Sequence, residues 1–85
     1  MRPTPRFVKA LRSLGQEEQK RAAKSMKQFL ENPRHPSLHF EKLRGSGLHT
    51  IRVDMNFRIA LDDKGGGVYD LIDVGSREAI YARWG

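Results

Sequence analysis

The stretch "IRVDMNFRIAL", residues 51–61, carries two arginines whose spacing has a chemical consequence. Ile51, Val53, Phe57, Ile59 and Leu61 alternate with more polar residues, the period of two expected of half-buried strands. Asp54, Met55 and Asn56 interrupt the alternation, and asparagine tolerates the left-handed backbone of a short loop. A hairpin turning about Met55 pairs Val53 with Phe57 and Arg52 with Arg58. Directly opposed like charges destabilise a sheet. Two readings relieve the conflict. Guanidinium forks bind phosphate bidentately, so one phosphate could sit between the pair. Alternatively, each arginine is neutralised by a carboxylate, with Asp70 and Asp73 on the neighbouring strand as candidates. The register across "DKGGG", residues 63–67, decides between them and is not set by the residue pattern.

The elements around the hairpin follow from periodicity. Phe7, Leu11 and Leu14 lie on one face of a short helix over residues 6–14. Pro3 and Pro5 keep the preceding residues extended, as in a short edge strand. After Gly15, residues 17–31 form a longer helix with Ala22/Ala23, Met26 and Phe29/Leu30 as its apolar stripe. Glu17 and Glu18 suit its positive end, and Asn32-Pro33 stops it. Residues 32–39 are a loop, and "LHFEKL" (38–43) is extended with Leu38, Phe40 and Lys42 on one face. "RGSG" and "DKGGG" are turns, "VYDLIDV" is a strand, and "SREAIYARW" is either a short strand or a helical turn. Helices first and antiparallel strands after indicate an α+β domain with the helix hairpin on one face of a small antiparallel sheet.

The alternation then assigns faces. Phe7, Leu11, Met26, Leu30, Ile51, Val53, Phe57 and Ile59 form the expected core under the helices. Thr50, Arg52, Arg58 and Ala60 look the other way, onto a polar, basic face that no remaining helix covers.

Composition bounds the function. A chain of 85 residues with 38% hydrophobic residues suits one compact domain spanning 1–85. No apolar run approaches the roughly 18 residues of a membrane span, and "MRPTPRF" lacks the apolar stretch of a secretory signal. There is no cysteine, which removes disulfide and thiolate chemistry and fits a cytoplasmic protein. The formal net charge is +6. It is concentrated in residues 1–34, which hold nine Lys/Arg against three Asp/Glu, while residues 35–85 hold seven of each. Such a basic region suits RNA, DNA or an acidic protein segment, or is simply a solvated surface.

The motif order resembles the RelE/ParE superfamily of bacterial type II toxin–antitoxin toxins. The matching features are Lys42-Leu43-Arg44-Gly45 before the first long strand, Arg52-Val53, Phe57-Arg58, and Val74-Gly75-Ser76-Arg77 followed by Tyr81. With the helix pair they cover nearly the whole chain. The resemblance implies a toxin that cleaves mRNA in the ribosomal A site without metal or other cofactor, using the ribose 2′-OH as nucleophile, and that is held by a cognate antitoxin. It places Arg52, Arg58, Arg77 and Tyr81 in the catalytic set, with Lys42, Arg44, Thr50 and Trp84 as RNA contacts. Thr50 stands where the family carries a second lysine. The chemistry is coherent. Charge builds on the phosphoryl oxygens as the 2′-oxygen attacks, and aimed guanidiniums stabilise it. Tyr81 is the candidate base, its pKa lowered from about 10 by neighbouring cations. The ParE branch shares the fold and poisons gyrase instead, so a non-catalytic module of this fold is the alternative.

Other signals carry less. His35 and His39 have helical metal-ligand spacing, but Pro33 and Pro36 argue against a helix there. A histidine beside the scissile phosphate is best supplied by His49 in sequence, although it alternates onto the helix side. The three glycines 65–67 lack the Lys-Ser/Thr of a phosphate loop. Trp84 either stacks on a base or covers the open end of the core.

Overall fold

The computed structural model describes all 85 residues. The chain runs β1 (Arg2–Pro3), α1 (Pro5–Arg12), α2 (Gln16–Glu31), a 3-10 turn (Pro36–Leu38), β2 (Glu41–Lys42), β3 (His49–Arg52), β4 (Phe57–Gly65), β5 (Val68–Ser76) and α3 (Arg77–Trp84). The sheet order is β1-β5-β4-β3-β2. Only β1, running beside β5, is parallel. No helix is long and apolar enough to cross a membrane.

Local chemistry explains the boundaries. Thr4 ends β1 and caps α1: its hydroxyl accepts the Phe7 N–H at 3.2 Å and donates to the Leu71 carbonyl at 2.8 Å. Pro5 then occupies the first helical turn, where a missing N–H costs nothing. The "VGSR" motif works in the same way at the other end. Ser76 ends β5 and accepts the Ala79 N–H at 3.1 Å, so Arg77 begins α3. The Arg77 N–H meanwhile donates to the Asn56 carbonyl at 2.7 Å and ties α3 to the hairpin loop. The "KLRG" motif has a packing reason: a Cβ on Gly45 would collide with the Gly85 carbonyl just beyond α3.

Two apolar clusters flank the sheet. The larger packs Phe7, Ala22 and Phe29 of α1 and α2 onto Ile51, Ile59, Leu61, Leu71 and Val74. It places Ile51 and Ile59 as the alternation requires, both fully buried. Met26, Leu11, Val53 and Phe57 are only partly buried. Leu30 is a correction: it is 65% exposed. Ala22, Ser25 and Phe29 set the buried stripe, and the next residue lies about 100° further round the helix. Phe29 takes the place expected of Leu30, with its ring 4.8 Å from Tyr69 and 5.6 Å from Phe40.

The second cluster corrects the expectation of an uncovered face. Residues 77–84 are a helix, and Ile80 packs with Leu43, Leu48 and Ala60 on the side of the sheet opposite α1 and α2. "LHFEKL" is likewise not one strand. It divides into the 3-10 turn, a left-handed His39 and the two-residue β2. A register shift in β4–β5 feeds the second cluster. Ala60 pairs with Asp73 and Leu61 with Leu71, which leaves Ile72 unpaired. Ile72 and Asp73 therefore both face α3.

Candidate phosphoryl site

Arg52 and Arg58 are directly opposed across β3 and β4, as the hairpin arithmetic requires. The loop closes differently from the expectation. No non-glycine residue in it has a positive φ, Asn56 included. Instead the Asp54 carboxylate accepts the N–H groups of Asn56 (2.7 Å) and Phe57 (3.0 Å), and Arg21 of α2 pairs with it at 3.1 Å. Burial presses the Asp54 carboxyl upward. The two backbone donors and Arg21 outweigh that, leaving the group below its ordinary value. Arg58 is aimed by the same loop, donating from Nη1 to the carbonyls of Asp54 (2.7 Å) and Phe57 (3.0 Å).

Arg77 and Tyr81 sit one helical turn apart on α3 and complete the arrangement. The Arg77 guanidinium lies 5.4 Å from the Tyr81 ring centroid. Arg52, Arg58, Arg77 and Tyr81 line one cavity of about 260 Å³ together with Glu41, His39 and Met55. Asp70 is taken by Arg2, and Asp73 by Arg6 and Arg83. None of the three cavity arginines takes part in an ion pair. The carboxylate answer to the opposed arginines is thereby removed. Burial pulls the Arg58 guanidinium below its ordinary value; Arg52 and Arg77 push the same way, while Tyr81 and Glu41 oppose them. Arginine keeps its proton regardless, so the cavity holds three cations gathered without a matching number of anions.

Glu41 is the residue that sequence reading missed. Its partner across β2–β3 is Thr50, which puts it on the arginine side of the sheet. The alternation that set Leu38, Phe40 and Lys42 on one face already contained that information. The Tyr81 hydroxyl donates to Glu41 Oε1. That hydrogen bond, then burial and the Glu41 charge, raise the Tyr81 pKa above its ordinary value, and Arg77 opposes them too weakly to reverse the sign. The expected lowering of Tyr81 is therefore corrected.

The RNA contacts expected from motif position fare unevenly. Thr50 is completely buried, with its hydroxyl unpartnered, so it presents nothing to a ligand. Beside Ala60 and under α3, it lost its exposed face when the last segment became helical. Lys42 and Arg44 are exposed and do not line the cavity. Trp84 covers the end of the second cluster, donating from Nε1 to Asp73 Oδ2 at 2.9 Å under the Arg6 guanidinium. His49 pairs with Leu61 on the helix side and stacks on Phe40, away from the cavity. The histidine at the site is His39.

No protein-family model matches the chain, and no curated protein matches it. Among solved structures, a chain of the RelB-RelE antitoxin-toxin complex from Methanococcus jannaschii superposes over the full length of both chains, with a TM-score of 0.70 at 22% identity. The likeness shows that the fold is RelE-like, as the motif order implies.

Proposed function

We propose that this protein is the toxin of a type II toxin–antitoxin pair, acting in the cytoplasm as an endoribonuclease on ribosome-bound mRNA. The observation that carries the proposal is the gathering of Arg52, Arg58 and Arg77, all without ion-pair partners, around one cavity with Tyr81 and Glu41. Cations held together against their repulsion suit a multiply charged anion. A phosphate under attack by the adjacent 2′-oxygen gathers such charge as the reaction proceeds.

The residues divide the work by their environments. Arg52 and Arg58 grip the phosphoryl oxygens from adjacent strands, and Arg77 reaches them from α3. Tyr81 holds its proton too firmly to be the base alone, so the 2′-proton goes to the Glu41–Tyr81 pair and ends on the Glu41 carboxylate. The 2′-oxygen forms a bond to phosphorus, the bond to the 5′-oxygen breaks, and a 2′,3′-cyclic phosphate results. Arg44, exposed beyond the cavity, contacts a flanking phosphate, whereas Lys42 pairs with His49 on the helix side and has no such role.

The basic outer surface of α1 and α2 is the docking region for the antitoxin, an acidic or amphipathic segment that folds on contact. Ribosome-dependent mRNA cleavage, run beside a gyrase supercoiling assay, tests the whole reading. Cleavage without gyrase inhibition is the expected result. Inhibited supercoiling with no RNA cleavage would assign the fold to a non-catalytic inhibitor instead.

A further inference from the structure

Cleavage as proposed leaves the 5′-oxygen in need of a proton, and the residues assigned so far do not supply it. The arginines hold theirs too tightly. Tyr81 is engaged with Glu41, and Glu41 is the acceptor on the nucleophile's side. His39 is the remaining titratable group lining the cavity. Imidazole is the side chain that exchanges its proton near neutrality.

The backbone at His39 is unusual in a second way. It has φ 50° and ψ 49° and is the only non-glycine residue of the chain with positive φ. Left-handed backbone is unfavourable for most residues with a Cβ, and such residues cluster at functional sites. Here it follows the 3-10 turn, where the His39 N–H donates to the Pro36 carbonyl at 3.3 Å. The turn and the left-handed step bring the chain from the buried Leu38 to Glu41 at the cavity wall. The unusual conformation and the cavity therefore coincide at one residue.

Resting on the nuclease reading above, we propose that His39 is the general acid, protonating the 5′-oxygen as its bond to phosphorus breaks. The proton from the 2′-hydroxyl ends on Glu41, the proton from the His39 imidazolium ends on the leaving 5′-hydroxyl, and solvent exchange restores both groups. The titratable and charged groups that line this cavity with His39 are Glu41 from β2, Arg52 from β3, Arg58 from β4, and Arg77 and Tyr81 from α3. Arg34 and His35 line a neighbouring cavity that His39 also borders.

The test uses a leaving group that needs no acid. An mRNA is prepared with a bridging 5′-sulfur at the scissile A-site phosphate and bound to programmed ribosomes beside its ordinary counterpart. The variant is His39→Asn, which removes the titratable ring and keeps a residue type that accepts the left-handed backbone. His39→Gly, free of any Cβ cost there, is run in parallel with a melting curve. The expected result is loss of cleavage of the ordinary mRNA by on the order of 10²-fold, with the sulfur-bridged mRNA cut at the parent rate by both variants. Equal losses on both substrates would overturn the acid role and make His39 a binding or structural residue. A parent protein that cuts neither mRNA would overturn the nuclease reading itself, and the acid role with it.

Discussion

The two ends of α3 meet opposite electrostatic situations. At its C-terminal end the Asp73 carboxylate, with a side chain only 1% exposed, is saturated. Oδ2 takes Arg83 Nη1 at 2.6 Å, Trp84 Nε1 at 2.9 Å and Arg6 at 3.6 Å, while Oδ1 takes the Val74 N–H. At its N-terminal end, three guanidiniums line a cavity and none has a carboxylate in ion-pair range. An anion with all its partners in place is a structural fastening. Cations without such partners are open to an anionic ligand. One short helix joins the two, so the fastening sets where Arg77 and Tyr81 stand.

The largest expected effect comes from undoing the saturated end. Asp73→Ala strands the Trp84 N–H and two guanidiniums, although Arg6 and Arg83 can turn to solvent. A loss of about 3 kcal/mol is expected in denaturant unfolding, with cleavage falling as α3 loses its seat. A variant as stable as the parent would mean that Asp73 does not hold the helix.

How much of this was legible in the sequence depended on the element. The opposed arginines followed from strand alternation, and a helix over residues 17–31, one residue short of the observed Gln16–Glu31, from helical periodicity. The side of α2 that packs was off by one residue because Phe29 and Leu30 are adjacent and equally apolar. Phe29 found aromatic partners that only the fold supplies. The bulge at Ile72 leaves no sequence signature, and Asp73 is taken by Arg6, Arg83 and Trp84 rather than by Arg52 or Arg58. Calling the last segment strand or helix from composition alone was undecidable, since Ile80 and Tyr81 serve either. That ambiguity hid the burial of Thr50 and the structural use of Trp84. Glu41 was already contained in the alternation of Leu38, Phe40 and Lys42, whereas the left-handed step at His39 is set by the fold.

Next in size are changes at the open end. Tyr81→Phe should lower cleavage by about tenfold with little change in RNA affinity if, as proposed, the hydroxyl relays the 2′-proton to Glu41. An unchanged rate would leave Glu41 acting alone. Glu41→Gln should bring the Tyr81 phenol back down toward its ordinary pKa, because Glu41 is the main cause of its rise. Phenolate absorbance should then develop at lower pH in the variant than in the parent. Identical titration curves would show that the two groups are not coupled.

A smaller effect is expected at the loop that aims Arg58. Asp54 has a folded-state pKa below its ordinary value, so its contribution is present above about pH 4 and is lost as the pH falls through the lowered value. Asp54→Asn should cost about 1 kcal/mol at neutral pH. The gap between variant and parent should narrow below pH 4. A gap that widens on acidification would contradict the sign. Smallest of all, Leu30→Ser should change stability by no more than about 0.5 kcal/mol, since the side chain is mostly in solvent.

Melting temperature and ribosome-dependent cleavage measured on the same Arg58→Ala sample separate a receptor from a fastening. Removing Arg58 relieves repulsion from Arg52 and Arg77 and forfeits two hydrogen bonds to the loop carbonyls, so the melting temperature should change little. Cleavage should fall by on the order of 10²-fold, the loss expected of one charge-stabilising donor. A variant that melts well below the parent, yet cleaves normally per folded molecule, would show that the arginine holds the fold and not a phosphate.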